Sequence, residues 1–309
     1  MKNRWAVVVL FGAMVLGASA FPGIRAALDG YSPYHLALFR FVIASLTLAV
    51  PAVVLRVRVP RRKDLPRLIL LGFLGFAFYH VALNYGEMTV TAGAASFIIC
   101  TVPIFNVALS MFMLRERLRP AAWAGMAVSM FGVALITLGE NGGFEPRAGA
   151  LLILAAAVAQ SFYFVLQKPL LESYSAFEVV CYGAWSGTGL LLVFTPGLFE
   201  AVLRATSGAT WSVVYLGMVP GALAYLGWSY ALAKMGVSRM SSYLYLIPVL
   251  AMIIGYLWLG EVPTGLALLG GPITLAGVVL AGWTGQPVSV SAMPPAPGEG
   301  APAAGCCGE

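Results

Sequence analysis

The chain has 309 residues, 60% of them hydrophobic and only 10% charged, with a mean hydropathy of +0.89. Soluble domains carry about 25% charged residues, so this composition excludes a pair of soluble domains and places the chain in a membrane. The 18 Lys and Arg against 12 Asp and Glu leave a net charge of +6, but the cations lie between apolar blocks and not in one patch. That pattern excludes a nucleic-acid surface and makes them signals of topology.

Ten apolar stretches are long enough to cross a hydrocarbon core of about 30 Å at about 1.5 Å per helical residue. They are predicted at 5–24, 33–55, 66–86, 90–113, 120–139, 148–170, 176–195, 210–232, 237–260 and 264–284. The first, with Lys2 and Arg4 ahead of it and Ala18-Ser19-Ala20 behind, also reads as a secretory signal peptide; a counterpart in the second half favours a retained span. The face of this span bearing Leu10 is expected to meet lipid. Arg40 is the strong base within the second span, either snorkelling to the surface or reaching a substrate. In the third span His80 and Asn84 share a helical face beside Tyr79, and Glu87 falls in a tight turn and is expected to be solvated. Ser96, Cys100 and Pro103 form a stripe in the fourth, and Gln160, Tyr163 and Gln167 another in the sixth. The longest internal connection, 196–209, cannot hold a soluble domain. The Pro-, Ala- and Gly-rich tail at 285–309 is expected to be a disordered cytoplasmic end, with Cys306 and Cys307 either incidental thiols or lipidated. The four cysteines have no metal-ligand spacing, and no cofactor is expected.

Lys and Arg concentrate on the cytoplasmic side of membrane proteins. With the N-terminus inside, 14 of the 18 fall on that side, which predicts cytoplasmic N- and C-termini in a bacterial-type inner membrane. Aligned with itself at an offset of 145, the chain places 82–139 on 227–284 with ten identities in 58 pairs. They include Tyr85/Tyr230, Ser96/Ser241, Pro103/Pro248, Leu114/Leu259, Glu116/Glu261, Gly125/Gly270, Gly132/Gly277 and Val133/Val278. The repeats are taken as 1–142 and 143–284. Five spans in each make the second copy enter from the opposite face, giving an all-α membrane fold of ten helices in two inverted five-helix repeats. Pro103 and Pro248, at matching mid-span positions, remove a backbone donor and are candidate hinges or simply tolerated prolines.

Ten apolar spans in two halves, a Leu-x-Glu at Glu116 and Glu261 after a mid-span Pro, and Gly-rich following spans resemble the drug/metabolite transporter superfamily, in its EamA-type ten-helix branch. The resemblance covers residues 1–284. It implies cytoplasmic termini, a central cavity lined by both halves, alternating access, and export of amino acids or other metabolites.

Polar residues within a bilayer face the bundle interior or a wet cavity. The candidate substrate-binding set is His80, Asn84, Ser96, Gln160, Tyr163, Tyr225, Trp228, Ser229 and Tyr245, where the repeat maps His80 to Tyr225 and Asn84 to Ser229. Each member also reads as interhelical glue. Glu116 and Glu261, at span ends, are gate residues or boundary residues favouring the next helix through its dipole. No predicted span holds a mid-depth carboxylate, which disfavours cationic cargo and predicts movement down the substrate's own gradient. Phosphate-loop, zincin and hydrolase motifs are absent from the sequence, so no enzyme is expected. The reading is a secondary carrier of a small neutral or zwitterionic metabolite, amino acids first and aromatic or bulky apolar ones within them. Its partners are that small molecule and the lipid bilayer, not nucleic acid, with a monomer the simplest assembly. The alternative is a channel or receptor on the same bundle.

Overall fold

A computed structural model describes residues 2–89, 95, 98–114, 120–141, 148–259 and 264–284. Ser96, Glu116, Glu261 and the tail 285–309 with Cys306 and Cys307 lie outside the described residues. The described chain is all-α, and each of the ten apolar stretches carries helix. Among the described residues six helices are long and apolar enough to cross a membrane: Arg4–Leu28, Pro33–Val54, Arg62–Glu87, Ala148–Leu170, Ala176–Phe194 and Ser207–Lys234. The fourth and ninth spans contribute the shorter apolar helices Val102–Met113 and Leu246–Leu259, and the fifth and tenth the helices Pro120–Asn141 and Gly265–Thr284.

The two repeats are interleaved. The third span packs against the sixth and seventh, while the eighth packs reciprocally against the first and second. Lipid tails supply no hydrophobic force between helices, so close backbone approach through small residues does that work. A side chain on Gly72 would strike Ser186 and the Gly183 carbonyl of the seventh span, and one on its repeat mate Gly217 would strike Ile43 and the Arg40 carbonyl of the second. The fifth and tenth spans meet in the same way: a Cβ on Gly132 would collide with Thr274, and one on Gly277 with Ser129. The glycines paired by the repeat are thus the seam between its halves.

Two irregularities recur in both repeats. The third span runs through a π-helical turn at Phe73–Phe78 and the eighth through one at Val219–Ala224. A π turn shifts the hydrogen-bond ladder by one residue and rotates the side chains that follow. The fourth and ninth spans are broken, at Cys100–Thr101 and at Leu244–Tyr245, before resuming as Val102–Met113 and Leu246–Leu259. Pro103 and Pro248 therefore stand in the opening turn of a new helical segment, where a missing N–H costs nothing, and not inside a kinked continuous helix. Just after the first break Ser161 of the sixth span donates to the carbonyl of Val102, the first residue of the resumed helix, at 3.3 Å.

Candidate substrate site

Immediately after the π turns, the polar faces of the third and eighth spans meet at the centre of the bundle. His80 and Tyr225, which the repeat makes equivalent, bond directly to one another: Nε2 of His80 lies 3.0 Å from the Tyr225 hydroxyl. The Arg40 guanidinium, 3.3 Å from His80 Nδ1, can only donate, so Nδ1 accepts and Nε2 carries the proton. Tyr225 then accepts from His80 and donates to the carbonyl of Gly75 at 2.7 Å. That carbonyl belongs to the π turn. The hydrogen bonds run in one direction from Arg40 through His80 and Tyr225 into an interrupted helix.

An aromatic shell fixes this chain. Phe41 packs against His80 with tilted rings and centroids 4.6 Å apart, Phe76 likewise against Tyr225 at 4.6 Å, and Trp228 meets Tyr225 edge-on at 5.4 Å. Below it Gln167 donates to Ser229 at 2.7 Å and to the Tyr163 hydroxyl at 3.0 Å. Asn84 donates to the Pro33 carbonyl at 3.0 Å, one turn from His80 on the same face. The structure thus brings His80, Tyr225, Tyr163, Gln167 and Ser229 together as bonded partners, with Asn84 and Trp228 beside them.

Beside this network is an enclosed cavity of about 40 Å³ lined by Tyr79, Ile99, Cys100, Val102, Gln160, Leu244 and Ile247. Both helix breaks border it. It has room for ordered water but lies far below the 300–1,000 Å³ or so of a metabolite pocket, so the centre is closed in this conformation. Tyr245, though buried, faces away into an open groove of about 420 Å³ with Trp123, Met126 and Met130. It does not join the His80 group.

Several buried polar atoms around the centre have no hydrogen-bond partner: Arg40 Nε, Asn84 Oδ1, Gln160 Oε1, Gln167 Oε1 and Trp228 Nε1. Such atoms are costly inside a protein unless water or a ligand meets them. Arg40 is 2% exposed, which removes the snorkelling alternative. Glu87 corrects the expectation of a solvated turn: it is 7% exposed and neither carboxylate oxygen has a hydrogen-bond partner. The reason is local. Gly86 lets the last turn of the third span close onto Ile153 and the Gly149 carbonyl of the sixth, which draws Glu87 beneath the 28–33 segment.

Glu87 lines a pocket of about 780 Å³ with Arg25, Asp29, Tyr31, Ser32 and Pro33. From this mouth a polar file descends through Asn84 to Arg40, His80 and Tyr225. His80 and Glu87 are seven residues apart, about 10 Å along a helix. Sequence reasoning undervalued Glu87 because a residue beside a turn carries no depth signal. It also passed over Asn106, fully buried and donating to Ser241 at 2.8 Å, whose position has no polar mate in the other repeat.

The profile of the EamA-like transporter family matches the chain twice, over residues 4–138 and 147–283. The chain is 44% identical over 280 residues to the uncharacterized transporter YdfC of Bacillus subtilis, covering 90% of this chain and 92% of that protein. It is also 44% identical over 279 residues to a probable terminal-alkyne amino-acid exporter of Streptantibioticus cattleyicolor, covering 90% and 93%. A probable amino-acid metabolite efflux pump of Escherichia coli is 27% identical over 292 residues, covering 91% and 95%. A solved crystal structure at 21% identity shares the fold with a TM-score of 0.75, over 90% of this chain and 96% of that one. With its domain present twice in tandem, the chain belongs to the EamA-like transporter family.

Proposed function

We propose that the protein carries a neutral or zwitterionic amino-acid-like metabolite along the polar file, by alternating exposure of the centre to the two faces. The observation that carries this reading is the pairing of a buried cation, Arg40, with a buried carboxylate, Glu87, along one path, and Glu87 has no hydrogen-bond partner. A cargo of single charge meets repulsion from one of them. A zwitterion finds attraction at each, and a neutral amide or hydroxyl is tolerated by both. Two relatives named for amino-acid or amino-acid metabolite export support this class. Aromatic or bulky apolar side chains suit the shell of Phe41, Phe76, Tyr163, Tyr225 and Trp228.

The closed centre between two broken helices supports a carrier over a channel, and Pro103 and Pro248, opening the second segment of each broken span, are its hinges. Glu87, buried at the mouth, adds a carboxylate to the path that the expectation of uncoupled movement did not count. We take residues 1–142 and 143–284 as the two moving halves, with both termini on the face that carries Arg56, Arg58 and Arg62. A cysteine near Arg62 is then shielded from an impermeant reagent in intact cells, and one near Ser207 reacts.

Counterflow in proteoliposomes tests the reading. Vesicles loaded with a neutral amino acid are expected to exchange it saturably, with unlabelled substrate on the far side accelerating labelled uptake. Flux that neither saturates nor shows this acceleration identifies a channel. Exchange confined to cations or anions overturns the cargo class.

A further inference from the structure

At the opposite end from the Glu87 mouth, the second, third and seventh spans enclose a crevice of about 530 Å³ that plays no part in the polar file. Its floor is apolar, from Ala49, Ala52, Leu68 and Trp185, and Arg56 and Arg58 stand on its rim. Three features define its chemistry.

The first is how the rim is built. The second span ends with Val57 donating to the Ala52 carbonyl at 3.0 Å and Arg56 to that of Val53 at 3.2 Å. This cap puts Arg56 at φ 49°, the left-handed conformation that glycine normally supplies. A side chain there costs about 1–2 kcal/mol relative to the ordinary helical region. Among the described residues no other non-glycine has positive φ.

The second is charge. Arg56, Arg58, Arg61, Arg62, Lys63 and Arg67 follow one another here, and among the described residues none of their side-chain nitrogens has a carboxylate oxygen within 4 Å. Two acids nearby are engaged by neutral groups: Asp64 accepts from Tyr174 at 2.8 Å, and Glu178 closes a capping box with Ser175 and accepts from the backbone N–H of Arg58 at 3.5 Å. The segment is held in place by its backbone instead, with the Tyr182 hydroxyl donating to the Arg58 carbonyl and the Arg61 N–H donating to Tyr174 at 3.0 Å.

The third is the apolar surface around the cations. Val53 and Val59 are 78% and 91% exposed, and Ile69 half exposed, on the outside of the bundle. Exposed valines beside arginines whose side chains meet no carboxylate suit the level where hydrocarbon gives way to headgroups. A soluble anion has no use for the apolar floor, and a neutral lipid has none for the arginines.

We propose that this crevice is a binding site for one anionic phospholipid, its phosphate held by Arg56 and Arg58 and the upper part of an acyl chain lying over Ala49, Ala52 and Leu68. Basic pockets between spans bind such headgroups by charge and geometry together. The site is independent of which metabolite the protein carries.

Native mass spectrometry of the full chain released from vesicles of equal phosphatidylglycerol and phosphatidylcholine tests it. The parent is expected to retain phosphatidylglycerol about tenfold over phosphatidylcholine, in keeping with the strength of basic side chains at an anionic surface. The double variant R56Q/R58Q is expected to lose that preference, while R62Q/K63Q, with the same change in charge, keeps it. A49W, which fills the floor without touching the cations, is expected to lose the bound lipid too. Thermal melting in pure phosphatidylcholine, unchanged for all three variants, shows that they are folded. Equal retention of both lipids by the parent, an unchanged preference in R56Q/R58Q, or equal losses in R56Q/R58Q and R62Q/K63Q overturns the site. Displacement of the lipid by millimolar glycerol phosphate, or retention by A49W, overturns the acyl-chain contact and with it the assignment to a phospholipid.

Discussion

The third and eighth spans are the same object used twice, and their difference is chemical. Each enters through a π turn and then presents a polar face, yet the first repeat supplies His80, Asn84 and Glu87 where the second supplies Tyr225, Ser229 and Leu232. The second span adds Arg40 to the first set. Ionisable groups therefore gather on the half of the path nearest Glu87, while the other half carries hydroxyls and amides. The repeat provides two similar scaffolds, and divergence of their side chains gives the path a direction.

The strongest test of the shared scaffold is the seam of the fifth and tenth spans, where both repeats do the same job. G132V and G277V are each expected to cost at least about 1–3 kcal/mol through overpacking against backbone, and to lower the melting temperature by similar amounts. A large effect from one and none from the other breaks the equivalence.

Next comes the charged half. R40Q leaves His80 Nδ1 without its donor and removes the buried cation, so counterflow of a zwitterion is expected to fall about tenfold or more, the scale of a lost charged hydrogen bond. S229A, in the uncharged half, is expected to cost less than about twofold, since the Gln167 amide keeps its bond to Tyr163. Similar losses from both erase the division of labour.

E87Q is expected to reduce exchange of the zwitterion by roughly threefold to fivefold, because one charged contact is replaced by a neutral one. Competition by an analogue lacking the ammonium should change little. The ratio of the two inhibition constants reads this directly, and an unchanged ratio places the ammonium elsewhere.

The smallest effect is the direct link between repeats. A double-mutant cycle of H80A and Y225F is expected to give a coupling of about 0.5–1.5 kcal/mol in thermal or denaturant stability, the range for one buried hydrogen bond. Additive losses would show that the two equivalent positions do not support each other.

Much of this was legible beforehand. Membrane class, the two repeats and the paired glycines follow from composition and an offset of 145, because hydropathy and close packing leave marks in residue type. His80, Asn84, Tyr163, Tyr225, Trp228 and Ser229 came from polar residues at helical spacing, and they do converge. Sidedness was less accessible. The first span is apolar all round, so its inward face has no signature; Leu10, expected against lipid, is buried in the core. Tyr245 shared a stripe with Ser241 and Pro248, but the break at Leu244–Tyr245 turns it into a different groove.

The sequence by itself determined that the chain is a tandem-repeat membrane protein with polar faces on its third, sixth and eighth spans, since these depend on residue type and period alone. Only the tertiary structure decided that Arg40 turns inward to His80, that His80 meets its own repeat mate, and that Glu87 lies beneath the mouth. Each of these depends on a π turn, a helix break or a glycine contact that shifts a side chain by a fraction of a helical turn, and a period of 3.6 residues read from an apolar sequence carries no record of such shifts.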